Sequence, residues 1–440
     1  MQKCECLRLP VALLALLSAL AAGSDWPGWR GALRDGRVPE GVAVPETLPT
    51  APKIVWHVPV AEGFASPVVG AGRVVFLDFV DGKEAVRALD AGSGKELWST
   101  PLDAPHKDGF GTGPRCTPTL DVAGKKVYAQ STRGELQCLN LTDGKLIWKK
   151  NYTTDFGQVF IGEKGEAAGA QRHGNAGSPL LDGEHLIVAP GGKDAAVVCL
   201  DKHSGAVLWK SQDDMSGYAP AVMLELAGMR QVVVFTAIAL IGLNPADGKL
   251  LWRVPLKTRL GRHVTTPLAL GDLVSVASHQ IGLVGIKISK EGAAFKAEQV
   301  WQNKEAAFNF ASPIALGNFI YGIGSASKLM CIDAGKGEIA WDQTGIVKTS
   351  MDKAFASFLV MGKNILTLTD TGELVLFAAD GKAYKEISRA QVCGPNWCMP
   401  AYADGRLFIR EKMDPNNKKG PATPGAVPDK RELVCVELLK

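Results

Sequence analysis

The stretch "LDAGSGKELWSTPL" (residues 89–102) reads as a strand, an Asp-led turn with two glycines, and a second strand that contains Trp98. The turn needs glycine because a tight hairpin places a residue at positive φ. The pattern returns as "LNLTDGKLIW" (139–148), "LDKHSGAVLW" (200–209), "LNPADGKLLW" (243–252) and "IDAGKGEIAW" (332–341). A hairpin that recurs along the chain predicts a repeat architecture.

One aromatic residue closes each repeat at a nearly regular spacing. From Trp56 to Tyr384, successive aromatic positions are 42, 50, 61, 43, 49, 40 and 43 residues apart. Such a period, with four short strands per unit, is typical of a β-propeller. We expect each tryptophan to lie on an outer strand and to dock against the neighbouring blade, where a large flat side chain buries much apolar surface. These docking residues are Trp56, Trp98, Trp148, Trp209, Trp252, Trp301 and Trp341.

A second landmark of the form x-x-Pro opens most units: "ASP" (65–67), "CTP" (116–118), "GSP" (177–179), "YAP" (218–220), "TTP" (265–267), "ASP" (311–313) and "CMP" (398–400). The last unit ends on a third strand, "RELVCVELLK", and the first begins with a lone fourth strand, "KIVWHVPV". Joining the two closes the ring and removes its open sheet edges. The sequence therefore predicts an all-β chain forming a single eight-bladed β-propeller of four-stranded antiparallel blades over residues 50–440. Residues 24–49 form an extended lead-in.

The N-terminus and the composition limit the location of the protein and its partners. Residues 1–23 have Lys3 and Arg8 ahead of a short apolar run and small residues suited to cleavage, which predicts a secretory signal peptide. We therefore expect a periplasmic or secreted protein. No later apolar run is long enough to span a bilayer, so no transmembrane segment is predicted. The formal charge of +4 argues against a nucleic-acid partner.

The cysteines fall into two groups. Cys138, Cys199, Cys331 and Cys435 occupy one repeat position that Ala88, Gly242 and Gly285 hold in other units, which predicts a small buried slot. Cys393 and Cys398 flank the turn "GPNW", and an exported context permits a disulfide between them. Their spacing leaves both the bonded and the thiol forms open. No His or Cys spacing indicates a metal site.

The connections that lead into the first strand of each unit emerge around the central channel of a propeller. We expect a ligand or partner to be bound there by a basic and aromatic group: Arg115, Arg172, His173, Asn175, Arg262, His263, Asn309, Asn396 and Trp397. This composition suits an anionic ligand or an acidic loop of a partner. The alternative is that each of these residues is a solvated loop residue with its own orientation.

The repeat L-[DN]-x-x-[ST/D]-G-K-x-[LI]-W resembles the tryptophan-docking repeat of the propellers related to the pyrroloquinoline quinone (PQQ) dehydrogenases. The segment "SDWPGWRGALRDG" (24–36) is similar to the lead-in before their first blade. The resemblance implies a propeller fold and one of two activities. One branch of the family carries PQQ and a calcium ion at the channel mouth. The other is cofactor-free and includes the scaffold lipoprotein of the outer-membrane β-barrel assembly machinery.

The sequence departs from the dehydrogenase branch in two features. It has no adjacent cysteine pair, and its Asp residues mostly fall in hairpin turns, where Asp bonds its own backbone. We therefore expect a monomeric, non-catalytic binding or assembly scaffold of the cell envelope, with envelope proteins or peptides as partners. We predict no catalytic residue, metal or cofactor. The alternatives are a PQQ- and calcium-dependent alcohol or sugar dehydrogenase, and anionic-ligand or carbohydrate binding at the channel face.

Overall fold

A computed structural model describes residues 25–324, 326–349, 354–411 and 431–439. The predicted signal peptide (1–23) lies outside the described residues. Eight four-stranded sheets, each with antiparallel pairing, account for nearly all of the regular structure. The all-β, eight-bladed propeller that the repeat predicts is confirmed.

The strands of the first half of the chain are bounded as follows. They are β1 (Lys53–Pro59), β2 (Val68–Gly70), β3 (Arg73–Val80), β4 (Lys83–Asp90), β5 (Glu96–Asp103), β6 (Lys107–Asp108), β7 (Gly111–Thr112), β8 (Thr119–Asp121), β9 (Lys126–Gln130), β10 (Glu135–Asn140), β11 (Leu146–Asn151), β12 (Leu180–Asp182), β13 (His185–Val188), β14 (Val197–Asp201) and β15 (Val207–Ser211). Two short helices, α1 (Tyr152–Phe156) and α2 (Ala170–His173), lie between β11 and β12. In the described part of the chain no helix is long and apolar enough to cross a membrane.

The second half continues in the same way. Its strands are β16 (Val222–Leu226), β17 (Met229–Phe235), β18 (Ala239–Leu243), β19 (Leu250–Pro255), β20 (Leu268–Leu270), β21 (Leu273–Ser278), β22 (Gly282–Glu291), β23 (Ala294–Asn303), β24 (Ile314–Leu316), β25 (Phe319–Ile323), β26 (Leu329–Asp333), β27 (Ile339–Gln343), β28 (Ala356–Met361), β29 (Asn364–Thr369), β30 (Glu373–Ala378), β31 (Glu386–Gln391), β32 (Ala401–Ala403), β33 (Arg406–Arg410) and β34 (Glu432–Glu437).

Blades 1 to 7 each consist of four consecutive strands, beginning at β2, β8, β12, β16, β20, β24 and β28. Blade 8 joins the two ends of the chain: its order is β1-β34-β33-β32, and β1 pairs with β34 from Lys53↔Glu437 to Pro59↔Glu432. The predicted closure by the N-terminal strand is therefore present. First strands of neighbouring blades contact one another, for example β2 with β8 and with β32, so they surround the axis.

The outer-strand tryptophans contact the hairpin of the next blade. Trp98 Nε1 donates to the carbonyl of Leu141 at 3.1 Å, and Trp56 Nε1 donates to the carbonyl of Ala91 at 3.0 Å. The equivalent bonds run from Trp148 to Lys202, from Trp209 to Pro245, from Trp301 to Ala334 and from Trp341 to Asp380. Trp252 differs, since its Nε1 donates to Gln231 Oε1 within its own blade. The next blade there has the long hairpin β22–β23, which lacks the Asp-Gly turn of the other repeats.

The small repeat position lies directly across the strand pair from the same tryptophans. The register places Cys138 opposite Trp148, Cys199 opposite Trp209 and Ala88 opposite Trp98. A Cβ added at Gly242 would come within 2.2 Å of Trp252 Cε2, so this blade has room only for glycine, while other blades hold Ala or Cys at the same place. Burial raises the pKa of the Cys138 thiol to about 12, which leaves it an inert packing group.

The lead-in enters the centre of the ring. Trp26 pairs with Val69 in blade 1, and Trp29 Nε1 donates to Thr266 Oγ1 ahead of blade 5 at 2.9 Å. Arg34 is buried and donates to the carbonyls of Ser178 at 3.1 Å and Ala221 at 3.0 Å. Residues 25–37 therefore connect blades on opposite sides of the axis.

Candidate functional site

The residue immediately before each x-x-Pro landmark faces the axis of the ring. In blades 1, 2, 3, 5, 6 and 8 these residues are Phe64, Arg115, Ala176, Val264, Phe310 and Trp397. In blade 7, which lacks the proline, Phe355 stands at the same position before "ASF", and all seven residues line one cavity. Blade 4 has Gly217 at this position and contributes the next residue, Tyr218, instead. This axial cavity has a volume of about 170 Å³, and Trp29 of the lead-in forms part of its lining.

One side of the axial cavity is aromatic. Phe310, Phe355, Trp397 and Phe64 come from the consecutive blades 6, 7, 8 and 1, and we call them the aromatic arc. The ring centroids of Phe310 and Trp397 are 5.3 Å apart, and the Trp397 ring lies 5.9 Å from Phe64 and 6.1 Å from Phe355. Tilted and edge-to-face pairs at such distances are favourable aromatic contacts.

The opposite side of the cavity is polar. Arg115, His173, Tyr218 and Arg262, which come from the blade 2 to blade 5 side of the ring, form what we call the polar arc. Burial raises the pKa of the Tyr218 hydroxyl, and the charges of Arg115, Arg262 and Arg172 act against that rise. Three arginines therefore lie near one buried tyrosine, which makes this side of the cavity cationic.

Asp108 organises the polar arc. Its carboxylate accepts from Arg115 Nη2 at 2.6 Å, from His173 Nδ1 at 2.8 Å and from the backbone N–H of Phe110 at 2.8 Å. Burial alone would raise the pKa of Asp108, but His106, whose Nε2 lies 3.5 Å from Oδ2, and the hydrogen bonds from His173 and Arg115 hold it well below its usual range. The carboxylate is therefore ionised and fully engaged, with a side chain only 1% exposed.

The same carboxylate fixes the hairpin β6–β7 over the cavity. The bond from Phe110 N–H to Asp108 closes an Asx turn, and Gly109 N–H donates to Glu163 Oε2 at 2.8 Å. Phe110 thereby reaches the aromatic arc, with its ring centroid 5.8 Å from Phe310 and 6.2 Å from Trp397. It also contacts His173 edge-to-face at 5.1 Å.

The predicted site residues separate into two groups. Arg115, His173, Arg262 and Trp397 line the axial cavity, and Arg172 acts on Tyr218 beside it. The other four, Asn175, His263, Asn309 and Asn396, are buried in the connections.

Two of the buried residues illustrate a role in loop structure. His263 stacks on Phe235 with ring centroids 4.0 Å apart, and burial lowers its pKa to about 4. Asn396 Nδ2 donates to the carbonyl of Arg410 at 2.7 Å, and its Oδ1 accepts from Cys398 N–H at 3.1 Å. His263 and Asn396 therefore support the structure of the connections, whereas His173 lines the cavity.

Cys393 and Cys398 are not joined by a disulfide in the structure. A bond between them stays a prediction of the sequence. Cys393 Sγ lies 3.9 Å from the carbonyl of Gly372, while Cys398 is buried at the start of blade 8. Burial and the charge of Glu411 raise the pKa of the Cys393 thiol. This is the opposite of what a reactive cysteine needs.

The family model described as outer membrane protein assembly factor BamB matches residues 49–170 and 82–343 of this propeller. The chain belongs to this family. BamB of Shewanella oneidensis is 20% identical over 375 residues, which cover 79% of this chain and 83% of that protein.

Solved structures support the fold of this family member. BamB from Moraxella catarrhalis superposes with a TM-score of 0.56 at 14% identity, covering 88% of this chain and 97% of that one. A quinohemoprotein alcohol dehydrogenase from Pseudomonas putida superposes with a TM-score of 0.63 at 11% identity, covering 94% of this chain and 80% of that one. At these identities the likeness is one of fold, and both branches of the family resemblance share it.

The axial cavity does not fit the PQQ and calcium of the dehydrogenase branch. Both oxygens of Asp108 are taken by the polar arc, and among the described residues no three His, Cys, Asp or Glu side chains come together as a metal-binding group. A volume of about 170 Å³ matches a single ring rather than three fused rings. No chemical step through a quinone is therefore assigned.

Proposed function

We propose that this protein is an exported, non-catalytic binding scaffold of the cell envelope that acts in outer-membrane protein assembly. One observation carries the proposal: the axial cavity presents groups for binding, while Asp108, the carboxylate behind its polar arc, is already paired. Asp108 is held by Arg115 and His173, and burial lowers the pKa of His263, which is stacked on Phe235, to about 4. A general base needs a proton acceptor within reach of a substrate, and these groups do not supply one.

Membership of the BamB family supports the assembly role, because the family model is named for outer-membrane protein assembly. In the proposed mechanism the ring is a rigid frame. It presents the axial cavity and the surrounding connections to a partner, and no bond is made or broken. The cationic side of the cavity would attract an acidic or carboxylate-bearing segment.

The proposal is tested by deleting the gene in its host and quantifying outer-membrane β-barrel proteins by mass spectrometry. We expect the deletion to lower their levels and the wild-type gene to restore them. N-terminal sequencing of the protein from the periplasmic fraction tests export, with cleavage expected after residue 23. Unchanged β-barrel protein levels in the deletion strain would contradict the assembly role.

A matched enzymatic assay separates the alternative function. Envelope extracts of the wild-type and deletion strains are compared for dye-linked oxidation of alcohols and sugars with added PQQ and calcium. The proposal expects equal rates in the two extracts. A lower oxidation rate in the extract of the deletion strain would favour a dehydrogenase.

A further inference from the structure

We propose that the axial cavity binds a single aromatic ring that carries a carboxylate. This inference rests on the proposed function, because it takes the cavity as a binding site, and it adds the chemical class of the ligand. The ligand can be a free aromatic acid or the C-terminal aromatic residue of a peptide. The two share the same ring and the same charge.

The size of the cavity sets the first limit. Its volume of about 170 Å³ is close to that of a protein cavity of roughly 150 Å³ that binds benzene. The cavity therefore suits a ligand with one six-membered ring and a short substituent. A short aliphatic carboxylate would leave part of the aromatic arc without contacts.

The aromatic arc sets the second limit. Phe310, Phe355 and Trp397 come from adjacent blades, and the ring centroid of Trp397 lies 5.3 Å from that of Phe310 and 6.1 Å from that of Phe355. A ligand ring placed against them gains tilted and edge-to-face contacts in addition to apolar burial. The arc therefore selects an aromatic group over an aliphatic group of equal size.

The polar arc sets the third limit. Arg115 and Arg262 line the cavity beside Tyr218, and the charges of both, with that of Arg172, act on its hydroxyl, while the charge of Asp108 acts in the opposite direction. The Arg115 side chain is only 10% exposed, and its Nε has no hydrogen-bond partner within the described structure. A buried guanidinium N–H without an acceptor favours an anion, because a charge-assisted hydrogen bond is strong there.

Both arcs belong to one small cavity, so one small ligand must satisfy both. The charge must therefore lie only a few bonds from the ring. 3-Phenylpropionate meets these conditions, as does a phenylalanine at a free peptide C-terminus. Its carboxylate would face Arg115 and Arg262 while its ring packs on the aromatic arc.

The test is calorimetric titration of the full-length mature protein with 3-phenylpropionate, 3-phenylpropanamide and hexanoate. We expect the acid to bind at least about tenfold more tightly than the amide, which lacks the charge, and than hexanoate, which lacks the ring. Equal binding of acid and amide would overturn the assigned polar arc. Absence of binding by the acid and by a Phe-ended peptide would overturn the proposal.

Matched variants assign the binding to the cavity. Arg262→Gln and Phe310→Ala should each weaken 3-phenylpropionate binding about tenfold. Arg230→Gln, on an exposed ion pair with Asp182, and Phe295→Ala, on the β22–β23 hairpin, are the controls and should bind as the wild type does. If Phe310→Ala does not fold, Phe310→Leu is used in its place, because leucine keeps an apolar side chain but lacks the ring. Equal losses in the cavity and control variants would overturn the assignment.

A peptide arm distinguishes the two sources of the ligand. A short soluble peptide ending in phenylalanine is titrated with a free and with an amidated C-terminus. Tighter binding of the peptide with the free C-terminus than of the amidated peptide and of 3-phenylpropionate supports a peptide C-terminus as the ligand. Tighter binding of 3-phenylpropionate than of either peptide supports a small acid. Failure of all these ligands while the deletion strain still loses β-barrel proteins would reject this inference and leave the proposed function standing.

Discussion

Trp98 and Gly144 belong to consecutive blades, yet a Cβ added at Gly144 would come within 2.6 Å of Trp98 Cε3. The glycine of the Asp-Gly turn thus has two roles. It adopts a φ of 71°, and it leaves room for the indole of the preceding blade. Gly94 is placed in the same way against Trp56, and Gly205 against Trp148. One turn residue therefore shapes both the hairpin and the interface between blades.

Replacing Gly144 by alanine should separate these two roles. Gly72→Ala is the control, because Gly72 has a φ of 70° but no atom within 4 Å of an added Cβ. Both substitutions should cost about 1–2 kcal/mol for the left-handed backbone. Only Gly144→Ala should lose a further 1–3 kcal/mol or so from the clash with Trp98. Urea unfolding measures both values, and equal losses would refute the interface role.

Trp98→Ala should lower the free energy of unfolding by about 3–5 kcal/mol, because it leaves a void between blades 1 and 2 and removes the bond to Leu141. Leu97→Ala is the control on the same strand, since Leu97 is 45% exposed. Urea unfolding should show little change in the free energy of unfolding of the Leu97→Ala variant. A loss at Trp98 no greater than that at Leu97 would contradict the docking role.

Asp78 and Arg410 join blade 1 to blade 8 through a buried ion pair. Asp78 Oδ1 accepts from Arg410 Nη2 at 2.9 Å, and the two side chains are 1% and 0% exposed. Asp78→Asn should cost about 3–5 kcal/mol because it leaves the Arg410 charge buried. Asp182→Asn, which breaks the exposed pair with Arg230, should cost less than about 1 kcal/mol. Similar losses of thermal stability in the two variants would contradict a role for Asp78 in ring closure.

Glu84 should make stability depend on pH. Burial raises its pKa to about 7, and the charge of Asp103 adds to the rise; Oε2 accepts from Thr132 N–H at 3.0 Å. The unfolded chain releases this proton near its ordinary pKa of about 4.3, whereas the folded protein keeps it up to about pH 7. The contribution of Glu84 to the free energy of unfolding therefore falls as pH rises through this window.

Glu84→Gln should remove that part of the pH dependence. Urea midpoints of the wild type and the variant are compared below and above the window, with the exposed Glu225→Gln as control. We expect the variant to gain stability relative to the wild type on the alkaline side, and the control to follow the wild type. The same pH slope in Glu84→Gln as in the wild type would contradict the raised pKa.

The fold could be predicted from the sequence because blade docking is local in the repeat. Each hairpin carries its own tryptophan, its turn glycine and a small residue opposite the tryptophan, such as Cys138 opposite Trp148. The period then fixes the number of blades. The closure follows from a strand missing at one end of the chain and a spare strand at the other.

The axial cavity could be predicted only in part. Arg115 and Trp397 are predictable because they stand directly before an x-x-Pro landmark, and the same rule gives Phe310. Phe355 was missed because its blade has "ASF" where the others have a proline. Phe110 and Trp29 reach the axis from a hairpin and from the lead-in, and the repeat carries no signal for either.

The most direct test of the non-catalytic binding site is calorimetric titration of the purified mature protein with PQQ, with and without calcium. We expect no calcium-dependent binding, because Asp108 is held by Arg115 and His173 and the axial cavity accepts one ring. Micromolar or tighter binding that requires calcium would contradict this assignment and place the protein among the quinone-dependent dehydrogenases.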